Sequence, residues 1–410
     1  MIVAILIVVF PALLFAEGYP SPEGTRGPNA GDRPLTSSYT GFNDLFHYNR
    51  VEGAALGLGL RTQNLLPDLD LLTKVSYGFA DRRWRYRGEA MRWRNPSGSG
   101  QGRRLAVGAG VYREIRYEED PALIKTVTIT KDALLSKKDH RNYYTAEGKE
   151  GFVTRAFSRA FTVRAGYRRE HLQSDSTQAK FSLFKRGERF RPTPSIREGW
   201  FSGVYLKGTC DTRIKRRAKR RSNGWTAEGI VEHTDRRLLK SDFSYTCLQG
   251  KAIRYQTTTP SAWLSAEVRG GMSIRPLPPH RMFDVGGGPG FYFPFGVLRG
   301  VPLNWFQGDR FATVLIDYHF GGRIFKDVPF PRVSLADMFE VIGFAGAAWT
   351  SLSARSRAMA TDESLRTTDG IYTEVGLSVA ERRDYFRFDV MFQRGDRRPG
   401  RVSVRVSANY

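Results

Sequence analysis

Apolar and polar residues alternate one by one along much of this chain, most plainly over residues 309–320. There Ala312, Val314, Ile316, Tyr318 and Phe320 fall on one face, and Thr313, Asp317 and His319 fall on the other. A period of two residues is the signature of a β-strand. The same pattern predicts strands at 72–80, 83–95, 104–117, 151–159, 161–169, 200–209, 225–233, 242–256, 262–273, 338–351, 371–380, 384–393 and 401–410. In the last of these, Val402, Val404, Val406, Ala408 and Tyr410 oppose Arg401, Ser403, Arg405, Ser407 and Asn409. Residues 119–148 are the least regular. Within them 125–130 (KTVTIT) reads as a strand and 132–148 as a surface excursion. With 125–130 and the Gly-softened run 54–60, the count rises from fourteen strands to sixteen.

Strands with one greasy face and one charged face need two solvents. Burying Arg401 and Arg405 without partners would cost several kcal/mol each, so their face is wet or paired. A soluble antiparallel sheet with one solvated face meets that requirement. A closed barrel meets it too and leaves no free edge, and the terminal strands have the roughly ten residues a tilted strand needs to cross a bilayer. The expectation is therefore an all-β transmembrane antiparallel β-barrel of sixteen strands.

Charge changes the picture only slightly. Net +23, from 64 Lys and Arg against 41 Asp and Glu, would ordinarily point to nucleic acid or an anionic surface. Here the cations mostly alternate along strands, which hides them on one sheet face and argues against a nucleic-acid partner. The run Lys215-Arg216-Arg217-Ala218-Lys219-Arg220-Arg221 is the exception. Lying between two strands, it reads as a solvated loop that meets lipid phosphates.

The N-terminus divides the chain. Residues 2–16 are about fifteen apolar residues interrupted by Pro11, too short to span a bilayer, and read as the hydrophobic part of a signal peptide over 1–16. Residues 17–47, rich in Pro, Gly, Ser and Asn, read as a periplasmic linker too short for a folded domain. The barrel is expected over 48–410.

Candidate chemistry is sparse. Cys210 and Cys247 lack metal spacing and form either one disulfide or two free thiols. The six histidines (His47, His140, His171, His233, His280, His319) show no HExxH, and no Ser sits in a GxSxG turn. Neither a cofactor nor a metal is expected, nor is catalysis, although His319 beside Asp317 leaves a hydrolase as one alternative.

One stretch stands apart. Between the strands at 262–273 and 309–320 lies a long loop rich in Gly, Pro and aromatics, carrying Gly286-Gly287-Gly288 and then Leu298-Arg299-Gly300-Val301, and five strands follow it. With Asp317-Tyr318-His319-Phe320, the YNRVEG run at 48–53 and the C-terminal Tyr410, this resembles the barrel domain of the BamA and TamA superfamily, the bacterial surface antigen family. In that family a sixth extracellular loop, entered through a Gly-Gly turn, folds into the lumen and carries an Arg-Gly-aromatic tip. The chain differs in having Val301 where an aromatic is usual, Phe344 and Ala345 where the wall carboxylate is expected, and no POTRA domains ahead of the barrel.

The resemblance implies a site made of Arg299 and Gly300 at the loop tip, with Gly286, Gly287 and Gly288 as the turn that admits the loop. A buried guanidinium needs an acidic partner. Asp317 is the first candidate, with Glu340 and Glu374 behind it. The Gly-rich strand (Gly53, Gly57, Gly59) would form a weak lateral seam with the strand ending at Tyr410. The implied function is insertion or translocation of proteins, or of lipids, at the outer membrane. Expected partners are outer-membrane lipid and lipopolysaccharide, client proteins and a separate periplasmic subunit. A passive channel or purely structural barrel is the other alternative.

Overall fold

The computed structural model describes residues 36–66, 68–94, 104–117, 125–213, 223–288, 296–325, 335–359, 365–368, 370–381, 386–395 and 398–408. They fall into two compact units: Met1–Pro121, Lys125–Arg159 and Gly166–Phe201 in one, Ala122–Ile124, Ala160–Ala165 and Ser202–Tyr410 in the other. Residues 1–16, expected as a signal peptide, the basic run at 215–221 and Tyr410 lie outside the described residues.

The first unit holds β1 (Thr36–Tyr39), β2 (Phe46–Asn49), β3 (Gly53–Leu66), β4 (Leu69–Gly78), β5 (Arg83–Arg94), β6 (Arg104–Arg116) and β7 (Tyr144–Ala156). β3 to β7 pair antiparallel in chain order. β1 and β2 both pair with β3, from Thr36↔Gln63 to Tyr39↔Leu60 and from Phe46↔Leu56 to Asn49↔Gly53. They are two halves of one strand, interrupted by the helical turn Phe42–Leu45.

This corrects two expectations. Residues 36–47 are strand and helical turn rather than linker, and the Gly-rich strand has both edges paired, so Gly53, Gly57 and Gly59 are not at a free seam. Their use is steric. A Cβ on Gly57 would lie 2.7 Å from Asp44 O and from Ser76 Cβ, and one on Gly59 would lie 3.0 Å from Asp44 Oδ2 and 3.1 Å from Thr40 Cβ. The glycines let the 40–45 segment rest directly on β3. Gly53 closes the hairpin in the left-handed region, φ 62°, where a side chain is strained.

Residues 125–130 are also corrected: Thr126–Ser136 is an α-helix. Its β-branched alternation mimics a strand, but tertiary packing overrides that preference. Thr128, Ile129, Thr130, Ala133 and Leu134 are buried, and Ala133 and Leu134 share a cluster with Tyr48, Ala179 and Phe190.

β8 (Phe161–Ser174) and β9 (Gly199–Asp211) each have residues in both units. The second unit continues through β10 (Gly224–Thr234), β11 (Tyr245–Thr257), β12 (Trp263–Ile274), β15 (Arg310–Gly321), β16 (Phe339–Ser351), β17 (Tyr372–Glu381), β18 (Phe386–Gly395) and β19 (Arg398–Ala408). Neighbours pair antiparallel, with β12 against β15 across the long loop. Within that loop β13 (Phe283–Val285) and β14 (Phe306–Gly308) form a small pair of their own. Setting these two aside and joining β1 to β2, the described residues contain sixteen long strands, five of them after the loop.

The coverage of the two faces decides between a soluble sheet and a membrane one. On β18 the charged side is covered, Arg387 at 1% and Asp389 at 0% exposure, while Phe386, Phe388, Val390 and Phe392 are exposed. β17 repeats this, with Glu374 and Ser378 buried and Leu377 59% exposed, and Val402 of β19 is 69% exposed. A water-soluble sheet would cover the opposite face. Apolar-out, polar-in alternation is the arrangement of a strand that faces lipid.

Candidate functional site

The loop between β12 and β15 returns to the covered face of the second unit. Its neck is narrow: the Gly287 N–H donates to Pro302 O at 2.8 Å and the Leu298 N–H to Gly286 O at 3.2 Å. A Cβ on Gly286 would stand 2.5 Å from Pro302 O and 2.7 Å from Asn304 N, so the strands of the neck meet only over bare backbone. Beyond it, Leu298, Arg299 and Val301 are buried.

Arg299 is held from several strands at once. Its Nη2 donates to Asp317 Oδ1 of β15 at 2.5 Å and its Nη1 to Ser378 Oγ of β17 at 3.0 Å. The guanidinium carbon lies 3.9 Å from the ring centre of Phe344 on β16. Asp317 and Phe344 are cross-strand partners in register, so one strand supplies the charge and its neighbour the ring. Arg–carboxylate pairs of this kind are charge-assisted and hence stronger than neutral hydrogen bonds.

The backbone of the tip is held separately. The N–H groups of Arg299 and Gly300 each donate to Glu374 at 2.7 Å, one to each carboxylate oxygen, and Arg405 of β19 donates to Arg299 O. Gln393, with its amide nitrogen turned toward the tip, donates to Gly300 O at 2.6 Å and to Tyr372 Oη at 2.9 Å, and accepts from Arg401 at 2.7 Å. A Cβ on Gly300 would fall 3.0 Å from Glu374 Oε2 and closer still to Gln393 and Tyr372. Only glycine fits there. Behind the tip, Asp389 accepts from Ser378 at 2.6 Å and pairs with Arg387 at 2.9 Å.

Of the carboxylates considered from sequence, Asp317 meets the guanidinium, Glu374 meets the backbone, and Glu340 goes elsewhere, contacting His319 Nδ1 at 2.9 Å. The ring of His319 stacks on Trp263 at 3.7 Å. Sequence reasoning missed Phe344, Tyr372, Ser378, Gln393 and Arg405. Their signal was present in part: Tyr372, Ser378 and Gln393 sit on the polar side of strands that directly follow the loop.

A second buried constellation, in the first unit, was missed altogether. It surrounds the β2–β3 hairpin. Asn49 Oδ1 accepts from the N–H groups of Val51 and Glu52 at 2.9 and 2.8 Å, which folds the turn. Arg50, fully buried, donates to the carbonyls of Asp139 and Arg141 at 2.9 and 2.5 Å and to Thr193 at 3.0 Å. Glu52 contacts His47 at 2.8 Å, Asn49 at 2.5 Å and Arg85 at 3.1 Å. Outside the strands, His140 is pushed down to about 4 by burial, with Arg191, Lys138 and Arg50 adding to the effect.

Cys210 and Cys247 are not bonded to each other. Cys210 pairs with Ala227 and Cys247 with Glu232, positions on opposite faces of β10, so no bond can join them. Among the described residues, no group of three His, Cys, Asp or Glu is placed to hold a metal ion. No described helix is long and apolar enough to cross a membrane, which says nothing of crossing by strands.

No protein-family model matches the chain, and no curated protein does. Solved structures do. BamA from Haemophilus ducreyi lacking POTRA domains 1-3 matches with a TM-score of 0.50 at 10% identity, over 98% of this chain and 76% of that one. CdiB from Acinetobacter baumannii (TM-score 0.36, 12% identity, 92% of this chain and 59% of that one) and CdiB from Escherichia coli (0.40, 11%, 94% and 64%) are also similar. At such identity the BamA match shows the fold alone, and the fold is that of an outer-membrane transmembrane antiparallel β-barrel.

Proposed function

We propose that this barrel acts in the insertion or translocation of client proteins at the outer membrane, with the Arg299–Gly300 tip as a movable plug. The observation that carries the reading is how the tip is held. A guanidinium and two backbone amides are held by polar groups of β15, β17 and β19, with the Phe344 ring against the guanidinium. Polar contacts of this kind can be replaced by contacts with water or with a client's own backbone, so the tip can leave its seat while the strands stay paired. Membrane lipid, lipopolysaccharide and a periplasmic subunit supplied by another chain complete the proposed surroundings.

Depleting the protein in its native host and following the outer-membrane protein content tests this. Loss of particular outer-membrane or surface proteins, restored by the wild-type chain but not by Arg299→Ala at equal barrel abundance, is the expected result. An unchanged outer-membrane composition would sink the proposal. A passive channel is the second reading, favoured by the same buried tip. Planar-bilayer conductance that rises on deleting residues 286–299, with no change in outer-membrane composition on depletion, would select it.

A further inference from the structure

The outward face of the first unit contains a groove that the proposed function does not use. Across β4, β5, β6 and β7 the register sets Leu71, Ala90, Ala109 and Gly151 in one row and Thr73, Gly88, Val111 and Lys149 in the next. These residues, with Tyr167, line a groove. They share the outward side, where Tyr86, Val107, Val111 and Val153 are exposed. The floor is backbone and methyl groups: a Cβ on Gly151 would meet nothing within 4 Å, and one on Gly88 only Val111 at 3.8 Å. In strands tilted about 45°, such rows cross the bilayer at a similar slant, so an extended hydrocarbon chain can lie along them.

The charge beside this floor indicates what kind of molecule fits. Lys149 is exposed on the same face and makes no hydrogen bond or ion pair among the described residues. One row further on, Arg113 is already paired with Glu147 at 3.6 Å. On β7 only Gly151 and Val153 separate Lys149 from the next outward cation, Arg155. Six residues at about 3.3 Å each make roughly 20 Å along the strand, less than the ~25 Å apolar band of an outer-membrane barrel even before tilt. The two cations therefore cannot flank the lipid-facing band from opposite sides, and Lys149 lies at or within it. An ammonium there is costly unless it snorkels to, or pairs with, an anion.

We propose that this groove binds one anionic membrane lipid, an acyl chain lying over Gly88, Ala90, Ala109 and Gly151 and the acidic headgroup paired with Lys149. The chain supplies the apolar contact, and the ammonium selects an anionic headgroup over a zwitterionic one. Arg113 flanks the headgroup with its charge offset by Glu147, leaving Lys149 as the discriminating group.

Native mass spectrometry of the full chain released from detergent, with added phosphatidylglycerol or phosphatidylcholine, tests this. Wild type is expected to retain phosphatidylglycerol in preference by about tenfold, the ratio one charge-assisted contact supports. Lys149→Met should erase that preference while leaving phosphatidylcholine retention unchanged. Gly151→Leu, whose Cβ enters open space, should reduce retention of both lipids by filling the floor. Ala109→Leu serves as a second filling variant, and heat-modifiable gel migration establishes that each variant is folded. Equal retention of the two lipids by wild type, or phosphatidylglycerol preference unaltered in Lys149→Met, overturns the headgroup assignment. Unchanged retention in both filling variants overturns the groove.

Discussion

Replacing Asp317 by Asn tests the tip directly. The substitution keeps the shape and one acceptor oxygen but removes the charge facing Arg299 Nη2, now 2.5 Å from Asp317 Oδ1. Exchanging a charge-assisted hydrogen bond, ~1.5–3 kcal/mol, for a neutral one, ~0.5–1.5 kcal/mol, loses about 1–2 kcal/mol. Leaving a buried guanidinium without its counter-charge raises the upper bound to ~3–5 kcal/mol. Arg299 and Asp317 are both largely buried, at 3% and 10% side-chain exposure, so solvent screening relieves little of this. Glu374 still holds two tip amides, and the barrel strands are untouched. The loss should therefore appear as local opening and not as global unfolding. At 1.36 kcal/mol per decade, the open population rises between roughly fivefold and about five thousandfold. Limited proteolysis of the folded barrel, followed by the appearance of fragments cut within residues 286–302, reads that population when opening and closing outpace cleavage. Fragment formation at the wild-type rate in Asp317→Asn, with acceleration in Arg299→Ala, would refute the assignment of Asp317 as the guanidinium's partner.

Other outcomes follow from the same geometry. Gly300→Ala should open the tip as strongly as Arg299→Ala, because its methyl collides with Gln393 and Tyr372; the same proteolysis assay reads it. Glu374→Gln removes the charge shared by two backbone amides and should raise tip cleavage by at least about tenfold, from roughly 1.5 kcal/mol or more lost. Arg50→Met strips the buried guanidinium from two carbonyls and Thr193 and should destabilise the first unit by ~2–4 kcal/mol, measured by denaturant midpoint in detergent. Alkylation with a thiol reagent should modify Cys210 before the buried Cys247, and reducing agent should leave gel migration unchanged.

Much of the fold was legible because the strands cross two solvents, and the requirement for different faces leaves an alternation that neighbouring side chains do not blur. β15, β17 and β18 show it in nearly every residue. β1 and β2 did not, since a four-residue half-strand is too short for periodicity and the helical turn at Phe42–Leu45 breaks the phase between them. The helix Thr126–Ser136 was hidden by its own Thr-Val-Thr-Ile-Thr run, whose β preference is decided only by contact with Tyr48, Ala179 and Phe190. At the tip, Arg299 was findable through the loop's resemblance to a known family, and Asp317 because a buried cation requires an acid nearby. Phe344 was not, since nothing in an aromatic's own neighbourhood announces that a guanidinium from 45 positions earlier will lie on its face.

The division of the first strand has a mechanical consequence. β1 is joined to β3 by four residue pairs and a Ser37–Thr62 side-chain contact at 3.2 Å. β2 is joined by four pairs as well, but Tyr48 also donates from its backbone to Thr130 at 3.2 Å and from its hydroxyl to Phe181 O at 2.8 Å, and the hairpin after it is fixed by Arg50 and Glu52. Force applied at Thr36 thus meets a weak zipper and then an anchored one. Separation begun at that end arrests at the helical turn, and the strand comes away by half its length at a time.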